Sequence, residues 1–150
     1  MQAKISRLVE GIELPSYKTT EAAGFDIAAA EDIIAKAGEV TLIHTGLVIE
    51  APEGYFLMLS ARSSLAPKKG LILSNGIGVI DRDYSGPTDE ILLQVYNFGN
   101  SDVEIKKGER LVQGIFMPIQ QVEWIESSSI RDEDRGGHGS TGGYSSDVKI

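Results

Sequence analysis

Asn75–Gly86 reads NGIGVIDRDYSG, and the rest of the chain is organised around it. Glycines at 76, 78 and 86 admit backbone conformations closed to other residues and let a flat ligand approach the main chain. Ile77, Val79 and Ile80 have the β-branched character of a strand. The stretch is therefore expected to be a glycine-punctuated apolar hairpin carrying Asp81 to its tip. An aspartate directly after an apolar pair is expected near buried surroundings, where a carboxylate is readily tuned as a base. The same residues also read as a polar turn, DRDY, between two strands. This stretch alone does not separate the two readings.

Working outward, Leu71–Ser74 leads into the stretch, and Ile91–Phe98 (ILLQVYNF) leaves it as a strong strand. Further strands are expected at Lys4–Glu10, Val40–Ile49 (VTLIHTGLVI), Tyr55–Leu59 (YFLML), Leu111–Ile119 (LVQGIFMPI) and Val122–Ile125, with a strand and turn at Asp102–Gly108. Seventeen glycines against five prolines fit many turns joining short strands, so the fold class is all-β. A length of 150 residues suits one domain with a real core. His44 lies mid-strand and reads as a packed or surface histidine. After Glu126 the sequence turns polar and glycine-rich, which divides the chain into a 1–126 β domain and a 127–150 flexible arm.

Net charge is −8, from 22 acidic and 14 basic residues. That disfavours non-specific attraction to nucleic acid or an anionic membrane. An anionic substrate then needs local help: convergent Arg or Lys, glycine-rich backbone donors, or a bound cation. There is no cysteine, so no disulfide framework and no thiolate chemistry. The N-terminus MQAKISRLVEG lacks the apolar core of a signal peptide, and no run approaches a membrane span. A cytoplasmic protein is the default expectation.

Three further places carry chemistry. In ARSSLAPKKG (61–70) a strand hands Arg62, Ser63 and Ser64 to a brief helical turn, limited by Pro67. This suits an anion; equally, a serine caps the turn and Arg62 makes a structural ion pair. Asp26, inside AGFDIAAA (23–30), needs an internal partner, so a loop-organising role stands beside a functional one. Gln113, in an apolar strand, must find a partner in a neighbouring main chain or a ligand. Arg135 with Gly136, Gly137, Gly139, Ser140, Thr141, Gly142 and Gly143 forms a donor set suited to a phosphate chain, although it is not a Walker A loop.

Taken in order, AAGFDIAA, ARSSL, NGIGVIDRDYSG, KKGERLVQGI and RGGHGSTGG resemble the five motifs of the trimeric deoxyuridine triphosphate nucleotidohydrolases, the dUTPases. The resemblance runs from about Ala22 to Gly143. It implies a jelly-roll-like subunit with one short helix, assembled as a homotrimer with active sites at subunit interfaces, and a mobile C-terminal arm closing over them. It implies hydrolysis of dUTP to dUMP and pyrophosphate with Mg2+. Asp81 matches the general base acting on the attacking water. Asn75, Gly78, Val79 and Ile80 match the main-chain reader of uracil, and Tyr84 matches the residue that leaves no room for a 2′-hydroxyl. Arg62, Ser63, Ser64 and Gln113 match phosphate contacts, with Ser63 near the leaving oxygen. Asp26 resembles the aspartate that holds Mg2+ through water.

In the arm, Arg135, His138, Gly139, Ser140 and Thr141 match the fifth motif. His138 stands where most members carry a stacking phenylalanine. Arg135 is closer to His138 than the family spacing, which leaves Arg135 and Arg131 open as the γ-phosphate arginine. The same fold also serves dCTP deaminases, to which RSSLA is rather similar, but no catalytic glutamate for that reaction can be placed. A non-catalytic nucleotide-binding trimer is the third reading.

Overall fold

The structure, a computed structural model, describes residues 1–136. The chain divides into a compact unit, Met1–Gln120, and a second unit, Gln121–Ile150. The first carries every strand among the described residues: β1 (Lys4–Arg7), β2 (Phe25–Ala28), β3 (Ile33–Ala35), β4 (Val40–His44), β5 (Leu47–Glu50), β6 (Tyr55–Ala61), β7 (Leu71–Leu73), β8 (Gly78–Ile80), β9 (Leu92–Asn97), β10 (Val103–Ile105) and β11 (Arg110–Pro118). One short helix, α1 (Leu65–Lys69), lies between β6 and β7. All pairings are antiparallel. They form a four-stranded sheet β2-β11-β6-β8, a three-stranded sheet β4-β9-β7, and the pairs β1-β5 and β3-β10. The result is the expected all-β, jelly-roll-like architecture, with one short helix among the described residues.

The period-two alternation of the strands builds the core. Along β9, Leu93 and Val95 are buried while Leu92 and Gln94 face out; on β6, Leu57 and Leu59 point inward. They meet Ile43, Leu71, Ile91, Ile105, Leu111 and Val112 in one cluster, each such side chain contributing about 1.5–3 kcal/mol by leaving water. Asn97 is fully buried within it. Its amide donates to the carbonyls of Ala35 (2.8 Å) and Ser101 (2.9 Å) and accepts from Gly99 N–H (2.9 Å), so its burial is compensated. Gly114 on β11 is required by close packing: a Cβ there would stand 2.6 Å from Cε2 of Phe25, inside the van der Waals limit.

α1 is only five residues long. Pro67 falls in its first turn, where a missing N–H leaves nothing unsatisfied, and Gly70, at φ 65°, closes it with an N–H bond to Ala66 O. Ser64 occupies the N-cap position without a side-chain cap bond, so the capping reading of this serine does not hold.

Four sequence expectations are corrected. Val40–Ile49 is not one strand: Thr45 and Gly46 separate β4 from β5, which join different sheets. The opening strand stops at Arg7 rather than Glu10. Asn75–Gly86 is not a hairpin: β8 is three residues long, pairs with β6, and is followed by irregular chain until β9. No strand forms at Val122–Ile125, where Val122, Trp124 and Ile125 are 65%, 91% and 87% exposed. Alternation alone makes no strand without a ladder partner. No helix among the described residues is long and apolar enough to cross a membrane.

Candidate active site

Sheet register brings one group of the expected residues together. Gln113 on β11 lies opposite both Asp26 on β2 and Ser60 on β6. Directly paired residues share a sheet face, so these three form a row on the face turned away from the core. Gln113 is exposed there, which corrects the expectation that it is a buried amide seeking a partner. Arg62, just past β6, extends the row. Its N–H bonds to Leu111 O (3.1 Å) and its Nη1 to Arg110 O (3.4 Å).

Asp26 has a side chain only 6% exposed, with two guanidiniums on it: Arg110 Nη1 donates to Oδ2 at 2.9 Å, and Arg62 Nε lies 3.1 Å from Oδ1. The second approach is a charge contact without hydrogen-bond alignment, and Oδ1 is left with no hydrogen-bond partner. The need for an internal partner is thus met by two arginines. With five N–H donors on each guanidinium, both keep donors free for an anion. Asp26, Lys18, Lys107 and Arg110 also border a cavity of about 470 Å³. Ser63, next to Arg62, is exposed.

Arg110 was not identified from the sequence, for a definite reason. It stands an odd number of residues before Gln113, which in a regular strand puts it on the opposite face. A β-bulge between Arg110 and Val112, where Arg110 pairs with Ala28 and Val112 with Ile27, inserts one extra residue and restores it to the Asp26 face.

Asp81 is elsewhere. It follows Ile80, which pairs with Leu57, and so sits at the start of β6, whereas Gln113 and Arg62 cluster at its end. At ~3.3 Å per residue along a strand and ~4.8 Å between strands, Asp81 and Gln113 of one chain are on the order of 15 Å apart. Asp81 is exposed, as are Asn75 and Tyr84, and Val79 is 57% exposed. The expectation of buried surroundings for Asp81 is therefore not met within one chain. The turn into β8 closes through Gly76 N–H to Leu73 O (3.1 Å), with Gly76 at φ 73°. Gly78 packs so closely that a Cβ would lie 3.0 Å from Leu59 Cβ. Arg131 and Arg135 are exposed; His138, Gly139, Ser140 and Thr141 lie outside the described residues.

His44 is a half-exposed surface residue whose Nδ1 meets Glu90 Oε2 at 2.7 Å. The hydrogen bond and charge of Glu90 raise its pKa, with a smaller push from Glu31. A raised folded-state pKa contributes stability that is fully present below the unfolded value of about 6.5 and is lost as pH rises through the folded value. Thermal melts should accordingly show His44→Gln lowering Tm more at pH 6 than at pH 9. An equal loss at both would show that the pair carries no charge-dependent stability.

The sheet thus presents guanidinium, amide and hydroxyl groups at one end, a set suited to an anionic ligand, and a bare carboxylate at the other. Comparison with known proteins narrows this. The dUTPase family model matches residues 10–143. The deoxyuridine 5'-triphosphate nucleotidohydrolase of Nautilia profundicola is 44% identical over 144 residues, covering 95% of this chain and 99% of that protein. That of Lactococcus lactis is 44% identical over 135 residues, covering 88% and 89%. Among solved structures, the dUTPase of Streptococcus mutans superposes with a TM-score of 0.75 at 36% identity, covering 80% of this chain and 98% of that one. A phage phi11 dUTPase solved with a structural Mg(II) ion gives 0.77 at 22% identity, covering 87% and 99%, a likeness of fold alone. The chain belongs to the dUTPase family.

Proposed function

We propose that the protein hydrolyses dUTP to dUMP and pyrophosphate, as a homotrimer whose active sites each combine residues of more than one chain. The observation that carries this reading is the separation between Asp81 and the Arg62–Gln113 cluster. A carboxylate that activates a water at the α-phosphorus must work within a few ångströms of the groups that hold the phosphates, and one chain keeps them on the order of 15 Å apart. A second copy supplies the missing half.

In this reading Asp81 orients a water for in-line attack on the α-phosphorus and takes its proton. The bond to the α–β bridging oxygen breaks, and pyrophosphate leaves with its charge held by Arg62, Gln113 and, beside the leaving oxygen, Ser63. Asn75 and the main chain of Gly78, Val79 and Ile80 read the uracil edge. A pocket of fixed donors and acceptors rejects cytosine because the interchanged groups would be left unpaired. Arg135 or Arg131, with His138, Gly139, Ser140 and Thr141, closes over the nucleotide.

Among the described residues no three acidic or histidine groups converge on a metal position. An Mg2+ ion carried by the triphosphate would neutralise part of its charge, and such an ion is ordinarily held through its waters. The unpartnered Oδ1 of Asp26 fits an acceptor for one of them.

A pyrophosphate-release assay across dUTP, dCTP, dTTP and UTP, with and without a chelator, tests the reading. Release from dUTP alone, slowed by chelation, is the expected result, with a solution mass three times the 16.2 kDa of one chain. Ammonia from dCTP would replace it with a deaminase, and silence on all four nucleotides with a non-catalytic trimer.

A further inference from the structure

Gly86–Glu90 (GPTDE) is an acidic segment between the Asp81 loop and β9 for which the proposed reaction supplies no role. Its last residue is tied on both sides. The Glu90 side chain, 18% exposed, spends both carboxylate oxygens on the β4–β5 corner: Oε1 accepts from Gly46 N–H at 2.7 Å, and Oε2 meets His44 Nδ1 at 2.7 Å. Its main-chain carbonyl accepts the hydroxyl of Tyr84 at 3.1 Å.

The corner itself is tied to the start of β9. Thr45, fully buried, donates to Ile91 O at 2.7 Å, and Ile91 N–H bonds to Leu47 O at 2.9 Å. Asp89 closes the preceding turn by accepting from Gly86 N–H at 2.7 Å. Tyr84, by contrast, is 42% exposed, so packing alone does not fix its ring. A half-exposed aromatic can exclude a single hydroxyl only if its ring is held in place, and here the hold runs from the β4–β5 corner through Glu90.

We propose that Glu90, anchored by Gly46 and His44, is a positioning residue for Tyr84 and so sets the discrimination against a 2′-hydroxyl. The inference rests on the reading of Tyr84 as the sugar gate. Glu90 acts through Tyr84 and touches no reacting atom.

The test is the ratio of kcat/KM for dUTP to that for UTP, with Tm measured alongside, on the intact protein and its variants. Tyr84→Ala should abolish most of the discrimination. Glu90→Ala and Tyr84→Phe should each lower the ratio roughly three- to tenfold, the range set by one hydrogen bond. The double variant should lose no more than either single one, since both act through the same contact. Glu90→Gln keeps an acceptor for Gly46 and should restore most of the ratio.

A purely structural Glu90 would lower Tm and leave the ratio within about twofold of wild type while Tyr84→Ala collapses it. That result, or an additive double variant, overturns the inference and spares the sugar gate. If Tyr84→Ala itself keeps the ratio, the gate reading falls and the inference falls with it. Should Glu90→Ala fail to fold, His44→Ala removes one anchor instead, and an unaltered ratio there is equally decisive against the proposal.

Discussion

Asp81→Asn should leave a folded, assembled protein that binds dUTP and turns it over about 10²–10⁴-fold more slowly, the contribution typical of a positioned carboxylate base. The substitution keeps the shape of the side chain and removes the charge that accepts the proton. Asp81 is exposed, and among the described residues its carboxylate makes no hydrogen bond or ion pair, so stability should change by no more than ~0.5 kcal/mol. Loss of kcat with binding retained would place Asp81 in the chemical step. Steady-state pyrophosphate release together with titration of a non-hydrolysable dUTP analogue separates the two quantities, and a variant at full rate would remove Asp81 as the base.

Asp26→Asn is expected to have the largest effect on stability. Removing one partner of a buried ion pair typically costs ~3–5 kcal/mol. Here the carboxylate is buried but Arg62 and Arg110 remain 31% and 45% exposed, so solvent screens the two stranded cations and roughly 1–2 kcal/mol is the appropriate scale. For a chain of this size that is a fall in Tm of roughly 3–8 °C. Arg62 also loses the charge that fixes its guanidinium, so KM for dUTP should rise. A thermal melt and a Mg2+ titration of the rate distinguish this from a role toward the metal alone. An unchanged Tm, with activity restored by excess Mg2+, would sink the ion-pair account.

Much of the fold was legible because the hydrophobic pattern of β6, β9 and β11 is local: alternate residues face the core wherever the strand runs regularly. The candidate site was legible only as types of residue in order. ARSSL and the Gln113 segment suggested phosphate contacts, and Asp26 suggested a need for a partner, but nothing local named that partner. Arg110 was hidden by the bulge that reverses its facing. Nothing local gave Glu90 a task, since its anchors on His44 and Gly46 come from a distant strand corner. The Val122–Ile125 strand was expected from apolar residues that have no ladder to join.

The sequence by itself determined that this is an all-β chain and located most of its longer strands, and it placed a carboxylate after Ile80 and an Arg-Ser-Ser run after Ala61. Both follow from short-range physics: side-chain periodicity and the backbone freedom of glycine. Only the tertiary structure decided that Asp26 is held between Arg62 and Arg110, and that Glu90 is braced against the β4–β5 corner. It alone also showed Asp81 exposed at the far end of β6 from the Arg62–Gln113 cluster. Those are facts of strand register, set when residues far apart in the chain pair across a sheet, and a single bulge is enough to change which side chains meet.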